Sequence, residues 1–165
     1  ARGFDMRVLA YDVRRDEVTA SGLATDYVPL DELLREADFV SIHASLTEQS
    51  RGMIGARELA LMKPGAFLIN AARGAIVDEN AVVQALRENR IAGAALDVHW
   101  EEPLPRNHPL MTLDNCILTP HIGSHTIETA RAVNAAAAQN LLDVLQGRRP
   151  RNVVNPEVYE AGSLR

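Results

Sequence analysis

Cysteine is nearly absent: the 165 residues contain one, Cys116. A single thiol closes no internal disulfide, so no covalent framework holds this fold, and a reducing cytoplasm is the expected compartment. Cys116 lies in an apolar stretch, which predicts a buried structural thiol in place of a nucleophile. Long apolar runs are missing as well. Nothing approaches the roughly 18 consecutive apolar residues of a membrane span, and the opening Ala1-Arg2-Gly3-Phe4-Asp5 does not read as a secretory signal. No basic run extends beyond Arg148-Arg149, and 17 basic against 22 acidic residues give a net charge of −5. That balance argues against nucleic acid or an anionic membrane as a partner. There is no G-x-S-x-G elbow for serine hydrolase chemistry. The histidines have no partners at metal-ligand spacing, so no metal site is expected.

What is present is ordinary for a globular chain, 47% hydrophobic and 24% charged, and long enough to bury one core. Short apolar runs alternate with amphipathic stretches. Strands are predicted over 7–11, briefly near Tyr27-Val28, and over 39–43, 66–70, 94–98 and 116–119. Between Asp12 and the second strand the chain reads as irregular, punctuated by Gly22. Pro29-Leu30-Asp31-Glu32 opens a helix, with proline in the first turn and carboxylates at the positive end of the dipole. Leu30, Leu33, Leu34 and Ala37 then share one face. A short helix over 56–62 is stopped by Lys63-Pro64-Gly65. The continuous apolar run 66–70 is what a sheet covered on both faces produces. Asp78 caps a helix with a buried stripe of Ala81, Val82, Ala85 and Leu86, and 94–98 and 116–119 read as two more buried strands. Ile127, Ala130, Val133, Ala137, Leu141 and Val144 recur at helical spacing until Gly147 and Pro150, with the alanines 135–138 read as packing closely on the sheet. Repeated strand–helix–strand units predict an α/β fold: a parallel sheet with helices on both faces. The proline-rich loop 103–109 reads as a surface excursion within it.

Open parallel sheets bind ligands beyond the carboxyl ends of their strands. The residues found there are Asp12, His43-Ala44, Ala71-Ala72-Arg73-Gly74, Asp97 and Pro120-His121-Ile122-Gly123-Ser124. Asp12 stands where dinucleotide folds place an acid on the adenosine ribose, favouring NAD over NADP, with Arg14 and Arg15 close enough to soften that preference. An aspartate after a strand is equally a turn residue. A glycine-rich phosphate loop belongs ~20 residues upstream of such an acid. That count runs past Ala1, so the chain is expected to be a piece of something longer, with the first strand and the G-x-G-x-x-G turn lying outside it. Arg73, with Ala72 and Gly74 leaving room beside it, suits a carboxylate held by two parallel hydrogen bonds. A surface arginine paired with a helix is the plainer alternative. His121 suits proton exchange near neutral pH, or packing at the start of a helix. Glu102 would orient that imidazole and favour its charged form; a Glu-Pro in a loop means nothing alone. His99, His108 and His125 show no partner set.

Three stretches in order resemble the D-isomer-specific 2-hydroxyacid dehydrogenases. They are Asn70-Ala71-Ala72-Arg73-Gly74-Ala75-Ile76-Val77-Asp78-Glu79, then Ala92-Gly93-Ala94-Ala95-Leu96-Asp97-Val98 leading to Glu101-Glu102-Pro103, then Leu118-Thr119-Pro120-His121-Ile122-Gly123-Ser124. The likeness runs from Val8-Leu9-Ala10-Tyr11-Asp12 to Arg151-Asn152-Val153-Val154-Asn155-Pro156. It implies a catalytic set of Arg73 on the substrate carboxylate and carbonyl oxygen, His121 exchanging the proton, and Glu102 holding the imidazole. For NAD it implies Asp12 at the ribose, Asp97 at the nicotinamide carboxamide, and close or backbone contacts from Ala44, Ala71, Ala72, Arg73, His121, Ile122, Gly123 and Ser124.

The resemblance thus implies a Rossmann-type doubly wound parallel sheet lacking its first strand and glycine-rich loop. Residues 1–150 would form a partial dinucleotide-binding domain, and 151–165 a C-terminal segment returning to a substrate domain outside this chain. The implied protein is a cytoplasmic homodimer and an NAD-dependent enzyme on small 2-hydroxy and 2-oxo acids of the hydroxypyruvate, glyoxylate or 3-phosphoglycerate type; the 165 residues alone are expected to be inactive. An NADH-responsive corepressor of the same fold is the alternative, since such proteins keep the three residues. Formate dehydrogenases fit less well, because they carry glutamine where Glu102 stands. Two departures stand out. Ser45 replaces the usual proline in His43-Ala44-Ser45-Leu46-Thr47, implying a looser cofactor-side loop. His99-Trp100 replaces the usual phenylalanine and acidic residue, so that Trp100 reshapes the pocket or simply packs.

Overall fold

The strands are short and all their pairings are parallel. The computed structural model describes residues 1–160, apart from the side chains of Arg2, Glu17, Thr19 and Glu160. Residues 161–165, the end of the expected segment 151–165, lie outside the described residues. β1 (Val8–Ala10) pairs with β2 (Thr25–Tyr27) in a two-stranded sheet. β3 (Phe39–Ile42), β4 (Phe67–Asn70), β5 (Gly93–Leu96) and β6 (Cys116–Leu118) form a four-stranded sheet in that order. Parallel neighbours need long crossovers, and helices fill most of them. α1 (Glu17–Gly22) lies between β1 and β2, α2 (Leu30–Glu36) between β2 and β3, α3 (Ala56–Leu61) between β3 and β4, and α4 (Glu79–Arg87) between β4 and β5. The β5–β6 crossover is the proline-rich loop with a 3₁₀ turn over Pro109–Thr112. α5 (Ile127–Leu145) and α6 (Glu157–Glu160) follow. This is the expected Rossmann-like α/β arrangement. The chain forms two compact units, Ala1–Gly123 and Ser124–Arg165.

The local chemistry explains the elements of the first unit. Asp78 Oδ1 accepts the Ala81 N–H at 3.1 Å and caps α4, whose Ala81, Val82, Ala85 and Leu86 are buried as their spacing predicts. Gly55 opens α3, its N–H donating to Glu58 Oε2 at 3.1 Å. Leu34 of α2 is fully buried, with Leu30, Leu33 and Ala37 packed beside it. In the middle of the larger sheet Leu68 of β4 is fully buried. Phe39 and Phe67 face each other across β3 and β4 with rings stacked at 5.6 Å. Phe67 also pairs with Gly93, where a Cβ would lie 2.9 Å from Asn115 O and 3.1 Å from the Phe67 ring. Glycine lets the strands close there.

Two expectations need correction. The stretch read as irregular contains α1, a single short helix with Ala20 buried. β6 is an edge strand: it pairs only with β5, and Ile117 is 69% exposed. In the loop after β3, Ser50 Oγ donates to Ser45 O at 2.7 Å and accepts the Thr47 N–H at 2.8 Å.

Candidate active site

Four strand ends on one edge of the larger sheet carry most of the chemistry. His43-Ala44 follow β3, Ala71-Ala72-Arg73 follow β4, Asp97 follows β5, and Thr119-Pro120-His121 follow β6. After β4, the buried Asn70 shapes the turn: its Nδ2 donates to Arg73 O at 3.0 Å and its Oδ1 accepts the Ala72 N–H at 3.1 Å. Arg73 is exposed, and Nη1 donates to Ala72 O at 2.6 Å. No side-chain bond joins Arg73 to Glu102 or His121 among the described residues. Gly74 does not open space for a ligand. It is buried, and a Cβ there would lie 2.1 Å from the His99 carbonyl carbon and oxygen and 2.7 Å from Trp100 N.

Glu102 and His121 do meet. His121 Nδ1 lies 2.8 Å from Glu102 Oε2, although 19 residues separate them. A carboxylate only accepts, so Nδ1 carries the proton of this bond and Nε2 is left for another partner. Glu102 Oε1 accepts the His99 N–H at 3.0 Å. The hydrogen bond from His121 and then that from His99 hold the Glu102 carboxyl below the usual range. His121 sits at φ 55, a left-handed conformation that a side chain adopts only when its surroundings impose it. Beside the pair runs a groove of about 400 Å³ walled by Pro103, Leu104, Met111, Leu118 and Pro120.

Asp97 binds the loop that carries His121. Its Oδ1 accepts from Thr119 Oγ1 at 2.6 Å and from the Ile122 N–H at 2.9 Å, and its Oδ2 accepts the Gly123 N–H at 2.8 Å. These bonds, Thr119 first, keep its carboxyl below the usual range. Asp97 Oδ2 retains an acceptor position, as a carboxamide partner would require. Asp12, past the end of β1, is exposed; its Oδ1 accepts the Arg14 N–H at 2.8 Å, and Oδ2 accepts nothing among the described residues. Ala44 packs against the core and Ala71 is exposed, so small side chains border the strand ends. An acid open at one strand end and small residues at others suit a dinucleotide. Ser124 opens the second unit, where Thr126 Oγ1 caps α5 by accepting the Thr129 N–H at 3.1 Å.

Sequence reasoning passed over three residues. Asn70 and Thr119 lie inside the quoted motifs, but nothing in their type showed that they bind the neighbouring turns. His99 is only 7% exposed. The available signal was that it fills a position where the resemblance expects phenylalanine. Trp100 packs: Nε1 donates to Val77 O at 2.8 Å, and the Arg51 guanidinium lies 5.6 Å from its ring centre. Cys116 is half-buried, and burial pushes its thiol up to about 11, so it stays protonated at neutral pH and is a poor nucleophile.

A parallel sheet with ligand-facing strand ends, an exposed acid after β1 and a histidine–glutamate pair defines the nucleotide-binding half of a dehydrogenase-like α/β protein. The family model for "D-isomer specific 2-hydroxyacid dehydrogenase, NAD binding domain" matches residues 1–123, and the chain belongs to that family. It is 46% identical over 160 residues to a glyoxylate reductase of Korarchaeum cryptofilum, covering 97% of this chain and 48% of that protein. Identity is also 46% with a glyoxylate/hydroxypyruvate reductase B of Enterobacter agglomerans, covering 94% of this chain and 48% of the relative. The NAD-complexed D-isomer specific 2-hydroxyacid dehydrogenase of Lactobacillus delbrueckii ssp. bulgaricus superposes with a TM-score of 0.81 at 32% identity, covering 93% of this chain and 50% of that one. The chain therefore spans about half the length of the curated relatives it matches.

Proposed function

We propose that the intact protein is an NAD-dependent oxidoreductase interconverting D-2-hydroxy acids and 2-oxo acids. Glyoxylate and hydroxypyruvate are the first candidates, since the relatives' names carry both; 3-phosphoglycerate-type acids follow. The observation that carries this reading is the 2.8 Å bond between His121 and Glu102 at the carboxyl edge of a parallel sheet.

NADH, when bound, would supply the hydride that reduces the carbonyl carbon. His121 Nε2 gives the accompanying proton to the carbonyl oxygen, and takes it back in the oxidation direction. Glu102, ionised and bonded to Nδ1, fixes the ring and balances its charge while both nitrogens are protonated. Arg73 spends one donor on Ala72 O, and its remaining donors hold the substrate carboxylate. Asp12 would hold the adenosine ribose and Asp97 the carboxamide, while Asp97 also fixes the His121 loop. Ala44, Ala71, Ala72 and the turn Ile122-Gly123-Ser124 border the cofactor with small side chains and backbone.

In this reading residues 1–150 belong to the dinucleotide-binding domain, and 151–165 lead to a substrate domain. The single, protonated thiol is compatible with the cytoplasm. No helix among the described residues is long and apolar enough to cross a membrane. A homodimer is the assembly the family resemblance implies. The test is NADH oxidation by the intact protein with a panel of 2-oxo acids, its mass followed by sedimentation. Glyoxylate or hydroxypyruvate should be reduced by a dimer. A panel without turnover contradicts the activity, and a monomer contradicts the assembly.

A further inference from the structure

His99 has a more deeply buried side chain than either member of the pair it adjoins, at 7% exposure. Its Nε2 lies 3.2 Å from Thr119 O. A carbonyl only accepts, so this contact puts the proton on Nε2, and in the neutral ring Nδ1 is a bare lone pair. That Nδ1 is buried and has no hydrogen-bond partner among the described residues. Leaving an acceptor buried and unpaired opposes folding, so the ring is held there against a cost, and its only polar tie is to Thr119.

Thr119 precedes His121 by one residue, Pro120. The left-handed backbone of His121 therefore needs restraint on both sides. After it, the Ile122 and Gly123 N–H groups are fixed on Asp97. Before it, Thr119 is fixed three times, by its N–H on Leu96 O, by Oγ1 on Asp97 and by its carbonyl on the His99 ring. The His99 backbone N–H reaches Glu102 Oε1 at the same time. The His99-Trp100 segment is itself anchored, because Gly74 packs on its backbone and the Trp100 indole donates to Val77 O.

We propose that His99 is a positioning residue: its buried imidazole clamps the Thr119 carbonyl while its N–H holds Glu102, so one residue sets both halves of the Glu102–His121 pair. Its consequence for turnover rests on the oxidoreductase reading; the clamp does not.

Two variants of nearly equal shape isolate the ring's hydrogen bond. Glutamine carries an amide N–H at about the reach of Nε2, whereas methionine has the same length and no donor. In the 165-residue chain, ¹³C NMR follows the titration of the Glu102 carboxyl, which lies below the usual range chiefly through its bond to His121. His99→Gln should keep the wild-type midpoint, and His99→Met should move it up by about 0.5 pH unit or more as that bond loosens. In the intact protein, His99→Met should lower kcat about tenfold with KM for NADH within about twofold, and His99→Gln should restore it. If the two variants titrate alike, or both unfold, the clamp is overturned. Unfolding of His99→Met alone also overturns it, since the bond would then serve the whole fold. A titration that moves as expected in a protein that reduces no 2-oxo acid leaves the clamp standing and removes the functional reading.

Discussion

Asp97 and Glu102 are ionised by the same means: each accepts hydrogen bonds that its protonated form cannot accept in full. Both carboxyls titrate lower in the folded chain than in the unfolded one. Their contribution to stability is therefore complete above the ordinary carboxylate range, near pH ~4, and is lost as pH falls through their lowered folded values. Urea unfolding should show a constant midpoint from pH 7 down to about 5 and a fall below 4. In Asp97→Asn the acid-side fall should be shallower; an unchanged profile would mean that Asp97 does not contribute. These roles were only partly legible beforehand. Glu102 and His121 carry no mutual signal across 19 residues, and only the motif order paired them. The three bonds that Asp97 accepts are a product of the folded loop, so residue type alone could not show them.

At the scale of elements, Gly74 joins the turn after β4 to the segment after β5. Its missing Cβ admits the His99 carbonyl and Trp100 N, with no flexible side chain to yield. Gly74→Ala should lower unfolding stability by about 1–3 kcal/mol or more, as overpacking of backbone against backbone does, and should weaken the Glu102–His121 contact as well. Chemical denaturation checks the first effect and His121 NMR shifts the second. Wild-type stability in this variant would contradict the packing. The α4 stripe was readable because its period is long, and it met the core as its pattern required. In the apolar run at β4, Leu68 and Asn70 are buried while Phe67 is exposed, so the expectation of a strand covered on both faces holds for only one face. α1 is too short to show a period. β6 has the composition of a central strand, and only its pairing makes it an edge. The α5 pattern shows a face and not what covers it.

At the scale of the molecule, the first unit brings together the acid–imidazole pair, the carboxylate beneath its loop and the arginine turn. The curated relatives are about twice as long as this chain. In the proposed reaction His121 moves the proton while other groups bind the cofactor. The measurement is the single-turnover rate of NADH-dependent glyoxylate reduction by the intact protein and its His121→Ala variant, with the Kd for NADH determined on both by fluorescence. The rate of the variant should be at least ~100-fold lower, as loss of a general acid gives, with Kd within about threefold. A rate that survives the substitution, or a rate and an affinity that fall together, would contradict it.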